Sequence, residues 1–382
     1  MQLDHKLSIA AASVLLSSSL YAQDYVRVNV MNYSENDDRV TVTAPSVEIN
    51  KELGLDYTLN GVFVSDSVSG ATPVYSDTTS GASAYHRGTV LDISNIKKEN
   101  IEFDEQRAYG SLSVTKRVRN RDEITALYSK SYESDYDSNT LGFGYMIWAD
   151  ESKNRSYNFD LSYQFNEILI KDCTGNHICS DADSISGASK KEDATMISTQ
   201  VGITQYIDER SLAKVSVFYA NEDGYLSNPY YNVIRNTNQV EAENRPDTRT
   251  AYGFNLKYIR SFSDDLSSNF AYKFYSDDWD INSHTLDINN YYELNDKFTV
   301  GFGIRYYGQS KAEFYSKSTT YFTNEEFASH DDRLSAFNAF TYKATLDYKY
   351  SDKISYNIGL NYYTQSTDLD AVYSSVGFKY NF

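Results

Sequence analysis

The nine residues Phe298-Thr-Val-Gly-Phe-Gly-Ile-Arg-Tyr306 carry the pattern that decides the fold. Every second residue from Phe298 onward is apolar or aromatic, and the positions between them hold Thr299, two glycines and Arg305. Successive side chains of a β-strand point to opposite faces of the sheet. The alternation therefore predicts a strand with one apolar face and one polar face.

The same alternation recurs in the segments 157–165, 342–350 and 354–362. Each run has about the ten residues that a tilted strand needs to cross a bilayer. The runs begin and end in Tyr or Phe more often than in Ile or Val, as do strands that place aromatic girdles at both membrane interfaces. The chain contains 36 Tyr and 19 Phe but only 4 Pro, which fits a protein that consists mostly of hydrogen-bonded strands.

The spacing of these runs predicts a single antiparallel barrel. We expect about sixteen strands, an even number as in single-chain bacterial barrels, near 25–34, 39–51, 54–66, 104–118, 121–133, 138–149, 154–167, 193–206, 209–220, 249–261, 265–276, 281–293, 297–309, 333–350, 352–365 and 369–382. Turn-like connections alternate with a second set that includes the long segments 67–103, 168–192, 221–248 and 310–332. The expected fold is thus all-β, a transmembrane β-barrel with short periplasmic turns and long outer loops. Pro45 predicts a bulge in the second strand.

The first residues predict a signal peptide. Lys6 supplies the positive charge, residues 9–16 form a short apolar core, and small residues precede a cleavage site after Ala22. Residues 1–22 are therefore the expected signal peptide and residues 23–382 the expected barrel, in the bacterial outer membrane. The mean hydropathy is -0.56, and no later segment has the length of about 20 apolar residues that a membrane helix requires.

The last eight residues, Ser375-Val-Gly-Phe-Lys-Tyr-Asn-Phe382, end the chain in an alternating strand. Ser375, Gly377, Tyr380 and Phe382 resemble the C-terminal signal that the outer-membrane barrel assembly machinery recognises. The resemblance implies that this strand pairs with that machinery by its edge and later closes the barrel against the first strand.

The formal net charge of -18 excludes nucleic acid as a partner, because phosphate binding needs clustered Lys and Arg. Acidic residues gather in predicted loops such as 35–38 and Asp331-Asp332. At a cell surface these loops could be bridged to anionic lipopolysaccharide by divalent cations, alongside ordinary contact with outer-membrane lipid. The simpler interpretation is that exposed acidic loops keep the protein soluble.

If the apolar faces point outward, the opposite faces place charged side chains in the lumen. Charge at bilayer depth is costly on the lipid side and is accommodated in a polar lumen. The predicted lumen-lining residues are Lys214, Lys257, Lys273, Arg305, Lys343, Lys379, Asp160, Asp287 and Asp347. They form either a pore wall that selects solutes or an ion-pair network that fills a narrow lumen.

The chain has 2 Cys, Cys173 and Cys179, both in a predicted outer loop. In an oxidising compartment, two nearby cysteines favour a disulfide. The alternative, a metal site that also uses His177, needs reduced thiols and a fourth ligand. We find no His pair at helical spacing, no phosphate-binding glycine loop and no nucleophile elbow. We therefore expect no catalytic residues, no cofactor and no metal.

One further motif, Asp66-x-Val-Ser-Gly-Ala-Thr-Pro73, stands where the third strand is expected to end, and its Ser, Gly and Pro predict a turn. Asp66, Val68, Ser69, Gly70, Ala71, Thr72 and Pro73 resemble a motif of Gram-negative outer-membrane barrels that are grouped as a domain of unknown function. Members of that group are often encoded beside periplasmic thioredoxin-like and flavin-transferase-like proteins. The resemblance implies the barrel fold and a periplasmic redox protein as a partner.

These observations leave three functional hypotheses. The leading one is a porin-like channel or transporter for a small solute, based on the strand number and the charged inner faces. The alternative is a closed structural or partner-binding barrel tied to a periplasmic redox system. The third, a barrel-embedded hydrolase, is favoured least because no local motif supports it.

Overall fold

The computed structural model describes residues 24–77, 96–170, 190–229, 231–235, 240–317 and 322–382. Sixteen antiparallel strands form a closed barrel, and a separate two-stranded sheet lies in one connection. No helix among these residues is long and apolar enough to cross a membrane. The prediction of an all-β barrel of about sixteen strands is confirmed.

The strands follow one another in the order in which they pair, apart from the small sheet. Their bounds are β1 Tyr25–Glu35, β2 Val40–Leu53, β3 Tyr57–Asp77, β4 Ile96–Arg117, β5 Glu123–Tyr132, β6 Tyr136–Trp148, β7 Arg155–Ile170, β8 Lys190–Asp208, β9 Ser211–Gly224, β10 Asn232–Ile234, β11 Val240–Ala242, β12 Thr248–Ser261, β13 Leu266–Asp277, β14 Asn282–Asn295, β15 Phe298–Gln309, β16 Phe337–Lys349, β17 Ile354–Gln365 and β18 Leu369–Asn381. Short 3-10 helices occupy Asn36–Asp38, Arg119–Arg121 and Asp332–Leu334.

The barrel closes between β1 and β18. Their register runs from Tyr25 opposite Asn381 to Glu35 opposite Ala371. Beyond the ladder, the Phe382 amide donates to the Asp24 carbonyl at 3.1 Å. Closure gives both the first and the last strand of the barrel a second partner, so neither of them is left as an edge strand.

The outer surface of the barrel is apolar. Along β15, Phe302 and Ile304 are exposed, and along β17, Ile358 and Leu360 are exposed. Aromatic side chains flank these residues toward both ends of the strands, as Tyr356 and Tyr362 do on β17. A closed barrel with an apolar outer band between aromatic girdles is the architecture of proteins that span the bacterial outer membrane.

The connections differ between the two ends of the barrel. Both described termini and the short turns, such as 54–56, 209–210 and 296–297, lie at one end. The longest connections, 78–95, 171–189, 225–247 and 310–336, all leave the opposite end. We call these the turn end and the loop end; the asymmetry assigns the turn end to the periplasm.

The third and fourth strands are longer than predicted, and the expected turn at the Asp66 motif is wrong. β3 and β4 pair without a break from Tyr57 opposite Lys116 to Asp77 opposite Ile96, so Gly70 and Pro73 belong to a strand. β2 pairs with β3 only as far as Gly70. Pro73 therefore lies where β3 pairs on one side, and such a position tolerates a residue without an amide hydrogen.

Pro45 does not produce the predicted bulge. Thr43 faces Ser67 and Ser46 faces Val64, so the register on the two sides of Pro45 is the same. Only the pairs at Ala44 and Pro45 are missing from this ladder. Proline removes one hydrogen-bond donor, and the neighbouring pairs hold the register.

Two long connections fold together at the loop end, which the sequence did not indicate. We call the described residues of the segments 225–247 and 310–336 together the cap. The cap contains the β10–β11 sheet and isolated bridges between its two segments, such as Asn244 with Ala328. Its apolar core joins Leu226, Ala312, Tyr315 and Leu334 to Trp279 and Ile281 of the β13–β14 connection.

Two predictions concern residues outside the described part of the chain. The signal peptide was expected at residues 1–22, and the disulfide at Cys173 and Cys179. Both stay predictions.

We predict that Leu360→Arg on β17 lowers the free energy of unfolding by about 2–4 kcal/mol, because Leu360 faces lipid midway along its strand. Urea unfolding of the barrel in liposomes measures the change. Asn361→Arg is the matched control, since Asn361 is the next residue and lines the lumen. Equal losses of stability in the two variants would contradict the assigned faces.

Candidate functional site

The barrel encloses a cavity of about 1380 Å³ that extends to the cap. Its charge is opposite to that of the whole chain, which has 53 acidic and 35 basic residues. Among the described residues, the lining holds ten basic side chains, Arg39, Arg107, Lys214, Arg245, Arg249, Lys257, Lys273, Arg305, Arg333 and Lys343. It holds five acidic ones, Glu35, Asp66, Asp287, Asp331 and Asp332. The interior is therefore cationic although the protein is acidic.

Asp287 of β14 is the centre of one charge cluster in this wall. Its carboxylate accepts from Arg305 Nε at 2.5 Å and from Lys343 Nζ at 2.8 and 3.0 Å. The Asn289 side chain donates to the same carboxylate. One negative charge is thus shared by two cations, and the cluster keeps a net positive charge.

Gly303 makes this cluster possible. In the sheet register, Gly303 of β15 lies between Asn289 on β14 and Lys343 on β16. A Cβ atom at Gly303 would collide with Asn289 Oδ1. Because glycine leaves the inner face of β15 bare, Lys343 reaches across that strand to Asp287 and to Asn289 Oδ1, 3.3 Å away.

Asp331 is the centre of a second cluster, in the cap. Its carboxylate accepts from Arg333 Nη2 at 2.7 Å and from Arg245 Nη2 at 2.8 Å. Burial by itself would raise the pKa of Asp331, but Arg333 and Arg245 outweigh it and hold that pKa well below its ordinary value. These contacts join the two segments of the cap at the loop end of the cavity.

The prediction that Asp331 belongs to an exposed, solubilising loop is wrong. Asp331 is only 1% exposed, whereas its neighbour Asp332 is exposed as predicted. Two guanidinium groups neutralise Asp331, which makes burial of a carboxylate possible. The sequence shows Arg333 two residues after Asp331, but not Arg245, which the fold brings from 86 residues away.

Two further ion pairs fix acidic groups in the wall. Asp66 of β3 pairs with Arg107 of β4 at 2.8 Å. Asp277 at the end of β13 accepts from Arg249 of β12 at 2.6 Å, and the Arg249 guanidinium lies 4.4 Å from the centre of the Trp279 ring. The Asp66–Arg107 pair is neutral within the cavity lining. Asp277 is not part of that lining, so its pair with Arg249 lowers the positive excess of the lining by one charge.

The nine predicted lumen residues fall into two groups. Six of them line the cavity: Lys214, Lys257, Lys273, Asp287, Arg305 and Lys343. Asp160, Asp347 and Lys379 are not in its lining; each lies nearer the turn end of its strand. Lys379 there stands 4.3 Å from the centre of the Tyr25 ring. The alternation predicts whether a side chain faces lipid or lumen. How deep in the lumen that side chain lies depends on strand tilt and on the cap.

Several residues of the site were missed. Arg107 and Arg249 lie near the ends of predicted strands, and Arg245 and Arg333 lie in the long connections. Arg249 has the same parity as Lys257, so the alternation could have identified its face. Except for Arg333, whose partner Asp331 is two residues away, their roles depend on partners far away in sequence, such as Asp66 for Arg107. No local signal identifies such pairs.

One cluster in the described residues has the donors for a metal ion. Carboxylate oxygens of Glu105, Glu133 and Asp135 lie within 4.8 Å of one another. Burial, together with the Glu105 carboxylate, raises the pKa of Glu133 to about 8. At neutral pH this group therefore retains a proton, which relieves the repulsion among the three carboxyl groups.

The C-terminal residues lie on the closing strand. Ser375, Gly377 and Tyr380 of β18 face Met31, Asn29 and Val26 of β1, and Phe382 follows the end of the strand. Their recognition by the assembly machinery stays a prediction.

The chain belongs to the family described as Protein of unknown function (DUF3570), whose model matches residues 5–377. This confirms the resemblance to an uncharacterised family of outer-membrane barrels. No curated protein matches the chain.

Distant solved structures resemble the barrel. A bacterial polysaccharide outer membrane secretin is 11% identical with a TM-score of 0.49, covering 95% of this chain and 100% of that one. The monoaromatic hydrocarbon channel CymD is 8% identical with a TM-score of 0.46, covering 100% and 94%. The toluene transporter TodX of Pseudomonas putida is 9% identical with a TM-score of 0.42, covering 96% and 90%. Similarity at this level carries no argument about the function of this chain.

We predict that Asp331→Asn loosens the cap. The change removes the buried carboxylate that Arg333 contacts and leaves Arg245 paired only with Glu243, 2.9 Å away. Loss of one partner of a buried ion pair costs about 3–5 kcal/mol. Hydrogen–deuterium exchange should become faster in the cap and stay unchanged in strands such as β15 and β16.

Asp352→Asn is the control, because Asp352 is an exposed carboxylate that pairs with Lys349 at the turn end.

The folded-state pKa of Asp331 is lowered, so its stabilising effect is present above the unfolded-state pKa of about 3.9 and is lost as pH falls toward the folded-state pKa. The difference between wild type and Asp331→Asn should be constant above about pH 5 and shrink below about pH 4. A cap that exchanges equally in both proteins at neutral pH would contradict the role of Asp331.

Proposed function

We propose that this protein is an outer-membrane channel or transporter for a small, water-soluble solute. The observation that carries the proposal is the cavity of about 1380 Å³ inside a closed barrel of sixteen strands. Barrels of this size have room for an aqueous channel. Charged side chains along the cavity support the proposal, because they are stable only beside water or counter-charges.

The lining also supports a preference for anions. Ten basic side chains against five acidic ones give the interior a positive potential, and rings of Lys and Arg favour anions in pores. The wall around Asp287 contributes to this preference, since Arg305 and Lys343 outnumber their shared carboxylate.

A second candidate, a closed barrel that binds a partner, is favoured by the cap. Residues such as Ala312, Ala328 and Ser329 of the cap are fully buried, so the cap is a folded element over the loop end of the lumen. In this case the turn end would present the barrel to a periplasmic partner, and the redox protein implied by the family resemblance is the first to test. A hydrolase is favoured least; labelling of the purified barrel by an active-site serine probe would overturn that ranking.

We predict that the purified barrel forms anion-preferring channels in a planar bilayer. Arg305→Glu with Lys343→Glu should move the reversal potential in a salt gradient toward cation preference, because two positive charges of the wall become negative. Lys353→Glu is the control, since Lys353 is exposed in a short turn outside the cavity.

Steady openings with this shift support a channel. Openings seen only in Asp331→Asn would indicate a channel that the cap gates. If wild type and Asp331→Asn both insert and stay silent, the channel proposal is wrong and the partner-binding barrel becomes the favoured function.

A further inference from the structure

Two lysines face each other directly on the inner wall. Lys214 of β9 and Lys257 of β12 are partners in the sheet register, and both line the cavity. None of the salt bridges within the described ranges includes either lysine. Asp160, on β7, is the carboxylate that interacts electrostatically with Lys214. Like charges placed directly opposite each other destabilise a sheet, and Asp160 supplies one negative charge against the two ammonium groups.

The pair is one end of a continuous basic surface. A single row of register partners connects Lys214, Lys257, Ala271, Asp287 and Arg305 across five neighbouring strands. Lys273 stands beside this row on β13 and Lys343 on β16. We call Lys214, Lys257, Lys273, Arg305 and Lys343 the basic arc. From β9 to β16 it crosses five strand spacings, which is about 24 Å of wall.

The wall across the lumen includes an apolar patch. In the closed strand order, β3 lies eight strands away from β13 and therefore faces it. Val40, Val42 and Ala44 of β2 and Val64 of β3 line the cavity there. A surface of one charge opposite a wall of low dielectric constant concentrates the electric field.

Acidic side chains of the wall that faces the basic arc already have partners of their own, so they do not neutralise the arc. Asp66 is paired with Arg107 at 2.8 Å. Glu35 accepts from the Tyr33 hydroxyl at 2.5 Å and lies 3.6 Å from Arg39. Asp287, the acid within the arc, is already shared by two cations.

We propose that the basic arc is a binding site for solutes that carry two or more oxyanion charges. One carboxylate or phosphate group binds between Lys214 and Lys257 and relieves their repulsion, and further negative groups bind along the wall toward Arg305 and Lys343. Ammonium groups act as point charges that accept either oxyanion. This inference deepens the proposed function, because it names the class of solute that enters the lumen.

The test is equilibrium binding, which does not require an open channel. The full-length mature barrel is placed in nanodiscs of zwitterionic lipid and titrated calorimetrically with tripolyphosphate, citrate, spermidine and sucrose. Tripolyphosphate or citrate should bind, and binding should weaken as salt is added. The two anions distinguish a phosphate site from a carboxylate site. Spermidine and sucrose should not bind.

Lys214→Gln with Lys257→Gln should weaken anion binding at least about tenfold, because two charge-assisted contacts are lost. The same variant should unfold at an equal or higher urea concentration, since like-charge repulsion is removed. Lys257→Arg should retain binding, and Lys353→Gln, in the turn, should leave it unchanged.

Failure of this inference is distinguishable from failure of the channel. Binding by a barrel that never conducts would support the anion site and overturn the channel. Conductance without anion binding would overturn the site alone. Equal binding of tripolyphosphate by wild type and by the folded Lys214→Gln, Lys257→Gln variant would also overturn it.

Discussion

In the hydrocarbon core of a membrane, an unpaired backbone amide or carbonyl has no water to bind. Membrane-spanning strands must therefore pair on both sides, which requires a closed sheet. The pairing of β1 with β18 meets this requirement, from Tyr25 opposite Asn381 to Glu35 opposite Ala371. Closure also divides every strand into a lipid face and a lumen face. The apolar outer band, the charged cavity and the position of the cap all follow from that division.

The lumen shows how an acidic chain builds a cationic interior. Acidic residues that reach the wall are neutralised by nearby cations, as Asp66 is by Arg107 and Asp331 by Arg245 and Arg333. Lys214 and Lys257, by contrast, face each other with no salt bridge in the described part of the chain. The interior charge therefore depends on which residues alternate inward and on which of them find partners, and the net charge of the chain does not reveal it.

The alternation of apolar and polar residues allowed most of the fold to be predicted from the sequence. The Phe298–Tyr306 segment predicted a strand whose inward face includes Arg305, and Arg305 lines the cavity. Local residue preferences gave wrong predictions where pairing with a neighbouring strand determines the structure. Gly70 and Pro73 suggested a turn, yet β4 supplies a partner for that segment. Pro45 suggested a bulge, yet the ladders on either side keep the register. The cap and its buried Asp331 were beyond prediction, because the contacts join segments 86 residues apart.

Chemical labelling of neighbouring positions tests the division into lipid and lumen faces most directly. In a variant with Cys173 and Cys179 replaced by Ser, a single cysteine replaces either Gln200, which lines the cavity, or its exposed neighbour Val201. The barrel is then treated in liposomes with small, membrane-impermeant thiol reagents of either charge. We expect cysteine at position 200 to react, faster with the anionic reagent than with the cationic one, and cysteine at position 201 to remain unmodified. Reaction at position 201 with none at position 200 would show that the lipid and lumen faces are assigned the wrong way round.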